Sequence, residues 1–143
     1  HEPVRHLVVH LEEALELLPR TCLGNTPEEL LEIVSDFGDD IGFCLDTNHL
    51  AGYTPERLAG CARLLSGRLY DIHVSDYFGN DEYHNLPGDG VIDWAAFARV
   101  LDAIGYNGPF TYEVRIQGTP TERLRAIEDN FQTLFGNRGT GAS

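Results

Sequence analysis

Leu58, Cys61, Leu64 and Leu65 recur at helical spacing, as do Trp94, Phe97, Val100, Leu101 and Ile104, and then Leu124, Ile127, Phe131 and Leu134. Apolar positions three and four apart line one face of a helix, so three helices are predicted here. Their starts carry chemical signals. Thr54-Pro55 places a capping Thr before a first-turn Pro, Asp93 opens the second helix, and Thr119-Pro120-Thr121-Glu122 is a full capping box. Gly105 ends the second. Thr26-Pro27-Glu28-Glu29 has the same box and predicts a further helix from Pro27 to Phe37. In the first segment, Val4 to Leu18, the residues Leu7, Val8, Leu11, Ala14, Leu15 and Leu18 also fall at helical spacing, and a helix is the plain reading.

Between the helices lie short apolar runs bounded by turn residues: Ile41 to Leu45, Leu69 to Val74 and Phe110 to Val114. Such runs read as buried, parallel strands. Their alternation with helices is the pattern of successive βα units in an α/β fold. The 143 residues suffice for one domain, taken as residues 1–135, followed by a Gly-rich tail over 136–143 expected to be disordered.

Composition narrows the partners. A formal net charge of −13, with Lys and Arg scattered, disfavours nucleic acid. No apolar run approaches the roughly 20 residues of a membrane-spanning helix. The start His1-Glu2-Pro3-Val4 has no secretory pattern, and three cysteines without CxxC spacing suit a reducing compartment. A cytoplasmic location is the resulting expectation.

In βα folds the chemistry sits at the C-terminal ends of the strands. The first run ends in Leu45-Asp46-Thr47-Asn48-His49, the second carries Asp71-Ile72-His73-Val74-Ser75-Asp76, and the third ends in Thr111-Tyr112-Glu113-Val114. Carboxylates and imidazole from separate strands make a mixed oxygen and nitrogen site for Mn, Zn, Co or Mg. Each residue also has an ordinary structural reading. Asp46 is placed to cap the following turn, His73 to be a satisfied core histidine, and Glu113 to pair with Arg115 or Arg99. The stretch Gly79 to Gly90 reads as a long βα loop on the same rim, from which His84 and Asp81 or Glu82 could reach substrate or a second metal, or which is simply a Gly-rich surface turn.

The segments LDTNH (Leu45 to His49), IHVSD (Ile72 to Asp76), HNLPGDGVIDW (His84 to Trp94) and GYNGPFTYEV (Gly105 to Val114), in that order, resemble the xylose isomerase-like TIM-barrel superfamily. That superfamily includes sugar 3-epimerases, hydroxypyruvate isomerase, inositol-catabolism enzymes and the class II AP endonucleases. The resemblance spans about Thr21 to Phe135. It implies the C-terminal half of a (β/α)8 barrel, since a closed barrel takes about 250 residues. The chain would then be a homo-dimer or lack an N-terminal half-barrel.

The resemblance places metal ligands at Asp46, His73 and Glu113, and a substrate contact at His49. A further ligand falls on Glu16, although Leu17 stands where the family usually has Asn. It implies a metal-dependent sugar or sugar-phosphate isomerase or epimerase acting through an enediolate. Glu113 and Glu16 would move the proton, His49 and His84 would touch a small sugar-like substrate, and a divalent metal (Mn, Co, Zn or Mg) would be the cofactor. The epimerases' substrate-binding Arg has no counterpart, because Asp76 and Tyr77 occupy its region. Two alternatives follow from the same resemblance. One is an AP-endonuclease-type phosphodiesterase using His49, His73, Glu82 and His84 for additional zinc. The other is an inactive half-barrel fragment.

Overall fold

Parallel pairing orders four strands as β1 (Glu13–Glu16), β2 (Ile41–Asp46), β3 (Leu69–Val74) and β6 (Phe110–Tyr112) across one sheet. Between them run α1 (Pro27–Ile33), α2 (Pro55–Leu65) and α3 (Trp94–Ala103), and α4 (Pro120–Phe135) follows β6. The structure, a computed structural model, describes residues 13–19, 22–37, 41–50 and 54–136. The predicted disordered tail beyond residue 136 lies outside them.

The alternating αβ reading holds, with one correction. Residues 13–16 form β1 and not the end of a helix; the rest of the predicted Val4 to Leu18 helix, residues 4–12, lies outside the described residues. β1 pairs with β2 from Glu13↔Ile41 to Glu16↔Cys44. Leu17 is fully buried while Leu15 and Leu18 stay 37% and 36% exposed. A helical stripe would have buried Leu15 and Leu18 together, so sheet pairing overrides the local pattern.

Other boundaries shift by a few residues. α1 stops at Ile33 rather than Phe37, whose ring is exposed. The Thr26 hydroxyl accepts from the Glu29 N–H as predicted, but the Glu29 carboxylate turns to the N–H groups of Gly24 and Asn25. The box at Thr119 closes in both directions, with Glu122 accepting from the Thr119 N–H at 2.8 Å. Thr119→Ala is therefore expected to cost about 1 kcal/mol, read as a lower urea midpoint with unchanged slope. The predicted loop from Gly79 to Gly90 instead begins with the turn and second strand of a hairpin, formed by β4 (Asp76–Phe78) and β5 (Asp81–Asn85).

The core lies between the sheet and its helices. Phe43, Leu45, Leu69, Ile72 and Val74 pack there against Leu58, Cys61, Leu65, Phe97 and Leu101. An aromatic group closes the end below β6, where Phe110 stacks on Phe135 at 4.4 Å and Phe135 meets Trp94 edge-on at 6.1 Å. With that face apolar, the polar strand residues are left for the other.

Candidate metal centre

A single bulge decides which β3 residues face the site. Phe43 pairs with Leu69, but Cys44 pairs with Asp71, so Tyr70 is an extra residue on β3. An inserted residue changes the side on which all later side chains emerge. Leu69, Ile72 and Val74 are accordingly buried against the helices, while Asp71 and His73 share the face of Cys44 and Asp46.

Asp46 ends β2 directly opposite His73. Its two oxygens have different tasks. Oδ1 accepts from the backbone N–H of Asn48 at 2.7 Å and of His49 at 3.3 Å, holding the one-turn helix Asn48–Leu50. The capping role read from the sequence is thus real, and it leaves Oδ2 buried without a hydrogen-bond partner.

His73 Nδ1 is also buried and makes no hydrogen bond. It lies 3.6 Å from Asp46 Oδ2, 3.7 Å from Glu16 Oε1 and 3.3 Å from Glu113 Oε1. Glu16 arrives from the end of β1, and Glu113 follows β6 with its N–H on the Val74 carbonyl. Three of the four residues named from the sequence, Asp46, His73 and Glu113, thus form one ligand-spaced group, and Glu16 joins Asp46 and His49 in an adjoining one. Glu113 is ion-paired with His73, and among the described residues the structure pairs it with neither Arg115 nor Arg99.

His49 flanks the group. Its Nδ1–H donates to the Leu17 carbonyl at 2.7 Å and lies 3.3 Å from Glu16 Oε1, bringing Glu16, Asp46 and His49 within ligand spacing as well. His84, on the hairpin, takes a left-handed backbone (φ 54°) and donates from Nδ1 to the Glu113 carbonyl at 3.0 Å. It braces the segment that carries Glu113. Asp81 and Glu82 are exposed, and among the described residues neither they nor His84 join a ligand-spaced group.

The electrostatics are those of negative charge gathered in one place. Asp46 beside His73 is the main cause that pushes the imidazole up to about 11, with Cys44 and Glu113 adding to it against the opposing effect of burial. Burial raises the Glu16 carboxyl, offset in part by His49 and His73.

A divalent cation fits this donor set. Ligand atoms roughly 2.0–2.2 Å from an ion stand roughly 3–3.5 Å from one another; the carboxylate oxygens lie 3.3 Å, 3.6 Å and 3.7 Å from His73 Nδ1, and the ligand atoms of Asp46, His73 and Glu113 all fall within 4.8 Å of one another. The two orphaned atoms, Asp46 Oδ2 and His73 Nδ1, would otherwise leave buried polar groups unsatisfied at substantial cost.

From the sequence Asp71 and Thr111 carry no assigned role, and Cys44 is only one of three cysteines without CxxC spacing. Asp71 Oδ2 stands 3.5 Å from His73 Nε2 and accepts from Thr111 Oγ1 at 3.0 Å. Cys44 shares a ligand-spaced group with Asp71 and His73, burial pushing its thiol up. The available signal was the irregular spacing of Leu69, Ile72 and Val74, which betrays the bulge and hence the facing of Asp71.

Parallel strands delivering acid and imidazole to one rim, with helices behind, define part of a β/α-barrel protein. The chain belongs to the xylose isomerase-like TIM-barrel family, which it matches over residues 8–134. It is 35% identical over 104 residues to an uncharacterised protein of Methanocaldococcus jannaschii, covering 69% of this chain and 35% of that protein. It is 28% identical over 123 residues to an uncharacterised protein of Sinorhizobium fredii, covering 85% and 38%.

Among solved structures, a D-tagatose 3-epimerase-like protein superposes with a TM-score of 0.69 at 27% identity, covering 85% of this chain and 47% of that one. The 3-keto-D-glucoside 4-epimerase of E. coli gives 0.65 at 26%, covering 85% and 44%. The D-psicose 3-epimerase of Clostridium cellulolyticum, with D-tagatose, gives 0.60 at 25%, covering 92% and 43%. The chain thus spans less than half the length of each of these proteins. No helix among the described residues is long and apolar enough to cross a membrane.

Proposed function

We propose that the chain carries the metal-binding rim of a sugar isomerase or epimerase. The observation that carries the reading is the pair of buried ligand atoms without a hydrogen bond, Asp46 Oδ2 and His73 Nδ1, facing two glutamates. Asp46, His73, Glu16 and Glu113 would hold Mn, Co, Zn or Mg. When bound, the cation supplies positive charge that favours negative charge developing on a substrate's carbonyl and hydroxyl oxygens.

The chain's own residues would move the proton. Glu16 and Glu113 come from the two outer strands of the sheet, so they approach a substrate from different sides. One would take the proton from the carbon beside the carbonyl and the other would return one to the opposite face of the resulting enediolate. Burial of Glu16 raises its affinity for that proton. His49 is placed beside Glu16 to hold a substrate hydroxyl, and His84 to keep Glu113 in position. Sugar-epimerase neighbours support a ketose or similar substrate. A phosphodiesterase would need further zinc ligands from Glu82 and His84 and a basic groove, neither of which favours it in a chain of net charge −13.

The test is elemental analysis of dialysed protein, followed by proton exchange of ketohexoses in D2O monitored by NMR. Expected are about one Mn, Co, Zn or Mg per chain, lost in Asp46→Asn, and exchange beside the carbonyl slowed about 10²- to 10⁴-fold in Glu113→Gln. A wild-type protein without specific metal would sink the reading.

A further inference from the structure

Asp71 stands behind the centre, on the side of His73 away from the converging carboxylates. The bulge at Tyr70 brings it to the same face two residues before His73. Its Oδ2 lies 3.5 Å from His73 Nε2, the ring nitrogen that does not face Glu16, Asp46 and Glu113. The carboxylate is itself held: Thr111 Oγ1 donates at 3.0 Å to Oδ2 and 3.3 Å to Oδ1, and the Ile72 N–H donates to Oδ1 at 2.7 Å. With 25% of the side chain exposed, it is fixed from the neighbouring strand β6 and from its own backbone.

We infer that Asp71 is a positioning residue that accepts the Nε2 proton of His73 and thereby keeps Nδ1 aimed into the cluster. The inference rests on the metal-centre reading for its consequence. A neutral imidazole carries one N–H, and the nitrogen bearing it cannot ligate. A carboxylate facing Nε2 draws the proton there, leaves the Nδ1 lone pair for a cation, and strengthens that lone pair as a donor. It also makes a ring flip unfavourable, since the flip would replace N–H by C–H opposite Asp71. Thr111 explains why the arrangement holds: without its hydroxyl the carboxylate would lose an anchor across the β3–β6 pair. Cys44 is the rival acceptor within the same group, but a thiol accepts hydrogen bonds far more weakly than a carboxylate.

The direct readout is the ring N–H spectrum of the folded chain labelled with 15N-histidine. The metal-free wild type is expected to show a slowly exchanging Nε2–H cross-peak, assigned to His73 by its disappearance in His73→Asn. It should be lost in Asp71→Leu, retained in Asp71→Asn, whose amide oxygen can still accept, and unchanged in Cys44→Ala. Cobalt titration of the same proteins should show about 10- to 100-fold weaker binding in Asp71→Leu, with partial recovery in Asp71→Asn. A cross-peak that survives in Asp71→Leu, one lost instead in Cys44→Ala, or unchanged cobalt affinity in Asp71→Leu overturns the inference. If Asp71→Leu does not fold, Thr111→Val gives the same test, with faster exchange of the cross-peak expected and unchanged exchange counting against. Should the wild type take up no cobalt, the metal reading fails by itself, and the cross-peak still decides whether Asp71 holds the ring.

Discussion

Asp76→Ala is expected to lower stability by about 3–5 kcal/mol, one of the largest effects of any single substitution in the chain. Asp76 is fully buried and accepts four hydrogen bonds. Oδ1 takes the N–H groups of Tyr77 at 2.9 Å and Ile92 at 3.2 Å; Oδ2 takes the Gly88 N–H at 2.9 Å and the Trp94 indole at 2.7 Å. Truncation strands these donors in a buried setting, each costing about 1–3 kcal/mol before relaxation and water entry reduce the sum. Asn is not a rescue, because its NH2 group must face a donor where a carboxylate oxygen stood. Gly90 belongs to the same unit: a Cβ there would lie 2.2 Å from Asp76 Oδ1 and 2.5 Å from the Tyr77 carbonyl oxygen. Urea unfolding of Asp76→Ala, Asp76→Asn and Gly90→Ala should show all three well below wild type. A loss under 1 kcal/mol in Asp76→Ala would mean that the 86–92 segment holds its shape without the carboxylate.

This role for Asp76 was not legible from the chain. In IHVSD it is a polar residue just past a strand end, the same description that fits a ligand, and only the distant donors at Gly88, Ile92 and Trp94 distinguish the two. Local signals fared better where the chemistry is local. The caps at Asp93 and Thr119 bond within their own first turns and opened α3 and α4 where the sequence placed them, and Pro55 at the first turn opened α2 although Thr54 makes no side-chain cap bond. Asp46, His73 and Glu113 stood out as candidates since each lies at or near the end of a short run read as a strand. Glu16 was harder. Leu15 and Leu18 read as one helical face, and what makes residues 13–16 a strand is pairing with β2, some 28 positions along the chain. The hairpin of β4 and β5 was missed although its turn, Gly79-Asn80, is a two-residue hairpin signal, because the polar and exposed run of β5 shows no apolar alternation and read as loop.

Cation uptake at neutral pH should expel a proton from His73. In the metal-free chain the imidazole is raised to about 11, chiefly by Asp46, so it is an imidazolium at pH 7 to 9 and cannot ligate until that proton leaves. Calorimetric titration with Mn or Co in buffers of different ionisation enthalpy is expected to show about one proton released per ion across that range, and fewer as pH approaches 11. The same group sets the pH dependence of the metal-free fold. A folded-state value above the ordinary 6.5 means that the native chain binds the proton more tightly than the unfolded one. Its stabilisation is complete below 6.5 and is lost as pH rises towards about 11. Glu16, raised by burial, acts in the same direction from a lower start, its contribution declining as pH passes above 4.5. Metal-free protein should therefore melt at progressively lower temperature as the solution becomes alkaline. His73→Asn should flatten the slope above 6.5 and Glu16→Gln the slope above 4.5. With cation present the trend reverses, because each proton removed from the cluster favours the ion that replaces it, and the gain in melting temperature on adding metal should grow with pH. A metal-induced gain that stays constant from pH 6 to 9 would show that no proton leaves the cluster when the ion enters.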